Sequence, residues 1–241
     1  MTLFENKKMK TTNWLIALTA AFASVQVASA ADVVGKVTVA GTPSPEKVLP
    51  MDPTCGKLHP GEKPTTTFFV VGPNKELADV FVHITKGLEG KTFPAPASSA
   101  KLDQVGCIYV PYVVGAQTGQ TIEVHNSDPA LHNVHPTPTV AGNKEANKAQ
   151  LPKSPALKFS WDKPEVFLRF KCDVHPWMFA YVGLVDHPYY AVTGKDGTFK
   201  IANLPDGNYT LEAYHRKGGQ VTKDITVKGG NVTVNFEIQA K

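Results

Sequence analysis

Two short stretches concentrate the side chains able to do chemistry. One runs His125-Asn126-Ser127-Asp128-Pro129-Ala130-Leu131-His132-Asn133-Val134-His135-Pro136, the other Lys171-Cys172-Asp173-Val174-His175-Pro176-Trp177-Met178. Cys172, His175 and Met178 sit three residues apart, close enough within a loop to converge on one ion while a distant strand adds a histidine. A thiolate, imidazoles and a thioether are soft donors that suit copper cycling between Cu(I) and Cu(II). Two imidazoles and a thiolate in a plane with a weak axial thioether describe a mononuclear blue-copper centre. Zinc is the competing ion, through His132, His135, Cys172 and His175, but it leaves Met178 without a role. Met178 also reads as a core residue, and His135 as a surface histidine or a further contact. His125 falls at a strand end. His59, His83, His187 and His215 have no partner at ligand spacing and read as ordinary surface or strand histidines. Ser127 and Ser160 lack the strained strand-to-helix setting of a hydrolase nucleophile.

The elements that must position these residues have a period of two. Val80, Val82 and Ile84 alternate with Phe81 and His83, Ile122 and Val124 flank Glu123, and Val166, Leu168 and Phe170 flank Phe167 and Arg169. The C-terminal region repeats the pattern in Phe199/Ile201, Tyr209/Leu211/Ala213, Ile225/Val227 and Val232/Val234/Phe236/Ile238. Alternation of this kind means strands with one buried face. Turn signals separate them at Gly194-Lys195-Asp196-Gly197, Pro205-Asp206-Gly207, Gly218-Gly219 and Gly229-Gly230. The expected class is all-β, built of antiparallel sandwiches. Both chemical stretches follow a strand, so they can meet at one end of a sandwich. Residues 141–156 lack periodicity and read as an exposed insertion, with one helical turn around Glu145 to Gln150.

Cys172-x-x-His175-x-x-Met178 after a strand, with His132-Asn133 after another, resembles the ligand loops of cupredoxins, with an amicyanin-like His-to-Met spacing. The resemblance covers residues 103–186. It implies a Greek-key sandwich holding one copper ion, with His132, Cys172 and His175 as equatorial ligands and Met178 as the axial one. It further implies that Asn133 ties the two loops by a hydrogen bond. His175 would be the ligand nearest the surface and the exit for the electron. Pro129, Leu131, Pro136, Pro176 and Trp177 would form an apolar docking rim. With Cys172 taken as a ligand, Cys55 and Cys107 are expected to pair in an oxidising compartment. The alternative, two free thiols recruiting metal, lacks a neighbouring His or Cys at ligand spacing.

A second resemblance covers the C-terminal part. Ala191 to Ile201 and Leu204 to Leu211 look like the later half of a carboxypeptidase regulatory-like domain, a small transthyretin-like or immunoglobulin-like sandwich without catalytic residues. Val34 to Val39 and Ala78 to Ile84 would supply its earlier half. The expected organisation is a leader at 1–30, the first part of this sandwich at 31–102, a copper domain at 103–187 and the second part at 188–241. Separate domains in sequence are the alternative.

The leader reading rests on Lys7, Lys8 and Lys10, a short apolar stretch from Trp14 to Val27, and Ala28-Ser29-Ala30 as a cleavage site. It implies export, most simply to a periplasm, with no membrane span in the mature chain. The chain of 241 residues is 42% hydrophobic but only 19% charged, with 19 Gly and 19 Pro, which excludes a coiled coil. Its net charge of +4 halves once the leader is removed, and no basic stripe remains for nucleic acid. The combined expectation is a non-enzymatic copper protein passing single electrons between transient redox partners, such as a c-type cytochrome or a dehydrogenase. A copper carrier or storage protein and a non-redox binding scaffold are the alternatives.

Overall fold

The computed structural model describes Met1 and residues 30–240. The expected leader therefore lies almost wholly outside the described residues. No helix among them is long and apolar enough to cross a membrane.

In chain order the strands are β1 (Ala30–Ala40), β2 (Val80–Lys86), β3 (Ala100–Gln104), β4 (Tyr109–Val110), β5 (Val113–Gln117) and β6 (Ile122–Asn126). They continue as β7 (His132–Thr137), β8 (Lys148–Gln150), β9 (Leu157–Phe159), β10 (Glu165–Lys171), β11 (Phe179–Val185) and β12 (Tyr190–Val192). The last five are β13 (Thr198–Pro205), β14 (Gly207–His215), β15 (Gly219–Val227), β16 (Val232–Thr233) and β17 (Phe236–Gln239). Among the described residues a single four-residue helix, α1 (Pro53–Gly56), is capped by Asp52, whose Oδ1 accepts the backbone N–H groups of Thr54 and Cys55.

These strands form an all-β fold of four sheets around two hydrophobic cores. The first core lies between β13-β1-β16, with β17 also paired to β1, and β12-β2-β14-β15. Val33, Val37, Val39, Val80, Val82, Ile84, Phe199, Leu211 and Phe236 meet there. The second core lies between β5-β11-β10-β7-β8 and β4-β3-β6-β9. It contains Leu102, Ile122, Val124, Leu168, Phe170 and Leu184, together with Cys55, and Met51 and Leu58 pack against it. The segment around α1 thus crosses from the first core to the second.

Alternation on β2 has a purpose on both of its faces. Val80, Val82 and Ile84 fill the first core, while Phe81, fully buried, points the other way onto β5 and β11. A Cβ on Gly183 would come within 2.5 Å of the Phe81 ring, and one on Gly115 within 2.4 Å of the Tyr190 ring. Those two glycines let aromatic rings lie directly on the sheet backbone. Phe167 breaks the alternation of β10: its φ is +65°, the register slips between Val166 and Leu168, and its ring packs 4.8 Å from that of Tyr214.

The insertion departs from its expected form. Residues 148–150 are a strand rather than part of a helical turn, pairing His132 with Gln150 and Val134 with Lys148. The open edge of β7 needs hydrogen-bond partners, and the buried Gln150 amide fixes the register by donating to Val124 O and accepting from Gln104. His83, His187 and His215 are buried strand or loop residues, with His83 Nε2 donating to the Glu212 carboxylate.

Candidate metal centre

The paired strands β7 and β10 bring the two chemical stretches together. His132 opens β7 and Cys172 directly follows β10. The loop from Cys172 to Met178 is closed by its own backbone: Met178 N–H donates to His175 O at 2.9 Å, and Cys172 N–H to Met178 O at 3.1 Å. This tight turn aims Cys172 and His175 inward towards His132 on β7. His132, Cys172 and His175 each offer a ligand atom, all within 4.8 Å of one another. The two Nδ1 atoms are 2.9 Å apart, and Cys172 Sγ is 3.6 Å from His175 Nδ1. All three residues are buried, as is Met178 at 1% exposure.

Asn133 clasps the two segments. Its Oδ1 accepts the N–H of Asp173 at 2.6 Å and of Val174 at 3.4 Å, while its own N–H reaches Cys172 Sγ at 3.5 Å. Its amide nitrogen donates to Asn147 and Asp173. His135, only three residues from His132, points elsewhere: Nδ1 contacts Asp173 and Nε2 contacts Glu145. It is no member of the donor cluster, and neither is His125.

Asp128 is the residue that sequence reasoning missed. Its Oδ2 accepts from His132 Nε2 at 2.9 Å and from Cys107 N–H at 2.7 Å, while Oδ1 accepts from Gly106 N–H at 2.5 Å. The signal was present as an acid four residues before a candidate ligand. Burial opposes protonation of His132, but the Asp128 carboxylate and the Cys172 sulfur outweigh it and hold its pKa up at about 9. Burial likewise opposes the Cys172 thiolate, yet the His132 bond and backbone N–H groups bring its pKa down. Burial, with help from His132, lowers that of His175.

His175, expected as the ligand nearest the surface, is buried. It is 4% exposed, with Asp52 Oδ2 3.2 Å from Nε2 and the Trp177 ring 5.2 Å away. No local sequence signal links Asp52 to a loop more than a hundred residues later; the disulfide between Cys55 and Cys107 brings it there. The sulfur of each half-cystine lies within 4.8 Å of a His175 nitrogen, and that of Cys107 also lies within 4.8 Å of His132 and Asp128 ligand atoms. The rim changes accordingly. Pro129, Leu131 and Pro176 are exposed and Trp177 partly so, its indole N–H donating to Cys107 O. Pro136 is buried opposite Phe170 in the β7–β10 ladder and belongs to no rim.

The donor set fits a soft metal: a thiol poised for deprotonation, two imidazoles with facing nitrogens, and a carboxylate that fixes one ring. Neither a protein-family model nor a curated protein matches the chain. The likeness of the first sandwich to carboxypeptidase regulatory-like domains therefore gains no support. Several solved copper proteins are similar to part of the chain. They include a copper-containing nitrite reductase from Thermus scotoductus SA-01, 19% identical with TM-score 0.33, over 42% of this chain and 25% of that one. A purple cupredoxin from Nitrosopumilus maritimus is 18% identical with TM-score 0.30, over 36% of this chain and 99% of that one. An oxidised amicyanin variant is 17% identical with TM-score 0.33, over 43% of this chain and 97% of that one. The chain spans about a quarter of the nitrite reductase.

Proposed function

We propose that this chain is an exported, non-enzymatic copper protein that carries single electrons between transient redox partners. The observation that carries the reading is the buried convergence of His132, Cys172 and His175 under the Asn133 clasp. Copper bound there would exchange one electron between its two oxidation states. His132, Cys172 and His175 would hold it, with Met178 as a weak fourth donor. A metal would displace the Nδ1 proton of the His132 imidazolium, while Asp128 holds the other proton on Nε2. The clasp and the loop hydrogen bonds keep the donors in place whichever oxidation state is present. Trp177, partly exposed and packed on His175, is the residue that reaches from the centre to solvent. Redox partners would dock at the Pro129, Leu131 and Pro176 edge.

The test is a visible and EPR spectrum of the copper-loaded protein. A thiolate-to-Cu(II) charge-transfer band that disappears in Cys172→Ser supports the reading. Tight zinc binding with no such band from copper overturns it. The burial of His175 beneath Asp52 favours a second reading, a copper carrier, because it removes the open imidazole edge through which an electron would leave. A carrier surrenders Cu(I) readily to a competing chelator; an electron carrier is reduced and reoxidised without losing metal.

A further inference from the structure

The disulfide is not remote from the metal centre, as a purely structural crosslink would be free to be. Cys55 Sγ, Cys107 Sγ and a His175 nitrogen all lie within 4.8 Å of one another and all three residues are buried. We propose that reduction of this disulfide creates a second soft-metal site, Cys55–Cys107–His175, that binds Cu(I). The site goes beyond the electron-transfer reading and shares only His175 with it.

Each sulfur is positioned by bonds that do not depend on the crosslink. Cys107 has φ +56°, an uncommon backbone state for a side chain bearing a Cβ, and is held there from three sides. Asp128 accepts its N–H at 2.7 Å, the Trp177 indole donates to its carbonyl at 3.0 Å, and His59 contacts Gly106 O at 2.8 Å. On the other strand of the crosslink, Asp52 Oδ1 takes the Cys55 N–H at 2.9 Å while Oδ2 meets His175 Nε2 at 3.2 Å. Breaking the S–S bond therefore leaves two thiols facing the imidazole from fixed backbones. The neighbouring Pro53, Thr54, Gly56 and Lys57 are exposed, so a local opening of this one turn admits a reductant.

The chemistry balances with an external dithiol. One of its thiolates attacks a cystine sulfur and the S–S bond breaks. Its second sulfur then closes the reagent into its own disulfide. Two electrons and two protons have passed to Cys55 and Cys107, now thiols. Cu(I) displaces both thiol protons to solvent and takes two thiolates and a neutral imidazole, soft donors that suit it.

The experiment uses the full chain carrying Cys172→Ser, which removes the first centre's thiolate and leaves the second set intact. The protein is treated with a dithiol, freed of it anaerobically, and titrated with Cu(I) against a chromophoric Cu(I) chelator, beside an untreated sample. The reduced form is expected to retain one equivalent that the oxidised form yields to the chelator, with new thiolate-to-Cu(I) ultraviolet absorbance. Adding Cys55→Ser and Cys107→Ser should abolish that gain, and His175→Ala should weaken it. Equal retention before and after reduction overturns the proposal, as does retention without the two cysteines. Collapse of the β circular-dichroism signal on reduction overturns it too, since the site requires the sheets to hold both sulfurs. The visible spectrum of unreduced wild-type protein tests the first centre separately, so the two readings fail independently.

Discussion

Replacing Asp128 by Asn tests whether one buried carboxylate organises the centre. The residue is 3% exposed and accepts three hydrogen bonds, from Gly106, Cys107 and His132. A neutral amide offers one acceptor oxygen and two donors. With its oxygen on Gly106, its nitrogen faces the Cys107 N–H, and at least one backbone donor is left unpaired. Turned over, its oxygen keeps Cys107 and His132 and the Gly106 N–H is left unpaired; in the first orientation it serves His132 only by donating to Nε2. That moves the ring proton to Nδ1, the nitrogen 2.9 Å from His175 and needed for metal. Bonds to a charged group contribute about 1.5–3 kcal/mol each, and an unsatisfied buried donor costs about 1–3 kcal/mol. The metal-free variant should therefore lose about 2–4 kcal/mol. At roughly 2–4 °C per kcal/mol for a chain of this size, Tm should fall by about 5–15 °C. Competition for Cu(II) should show a loss of about 10–100-fold in affinity. A stability change below about 1 kcal/mol in Asp128→Asn, with copper affinity unchanged, refutes the reasoning.

Gly183→Ala places a Cβ 2.5 Å from the buried Phe81 ring and should cost about 1–3 kcal/mol by denaturant unfolding. Adding Phe81→Leu should recover part of that loss, and strict additivity would show that the ring is not the obstacle. Met178→Leu should keep copper and raise the reduction potential measured by voltammetry; an unchanged potential makes Met178 a core residue only. Burial lowers the pKa of His215 from 6.5 to about 4, so its folded state binds fewer protons than the unfolded chain in that window. Its contribution is complete above pH 6.5 and is lost as pH falls towards 4, up to about 3 kcal/mol. His215→Asn should flatten that part of the stability profile, and an unaltered slope would assign the loss to other groups.

The alternating residues of β2, β6, β13 and β14 determined the all-β class by themselves, because period two is a local property of extended chain. The Cys172-to-Met178 loop likewise announced its donor chemistry, since ligands three residues apart need only one turn to converge. Two departures show where local reading stops. The helical turn expected near Glu145 gave way to β8, because the edge of β7 supplies partners that no local propensity reveals. Phe167 leaves the β10 alternation for a ring contact with Tyr214 on the other sandwich. The environment of the centre was decided wholly at long range. Asp52 and Cys55 reach His175 only through a crosslink spanning 52 residues, and that contact buries the imidazole expected at the surface. Burial and electrostatic partners depend on which distant segments pack together. A ligand spacing fixes which atoms can meet, and the tertiary structure alone fixes what surrounds them.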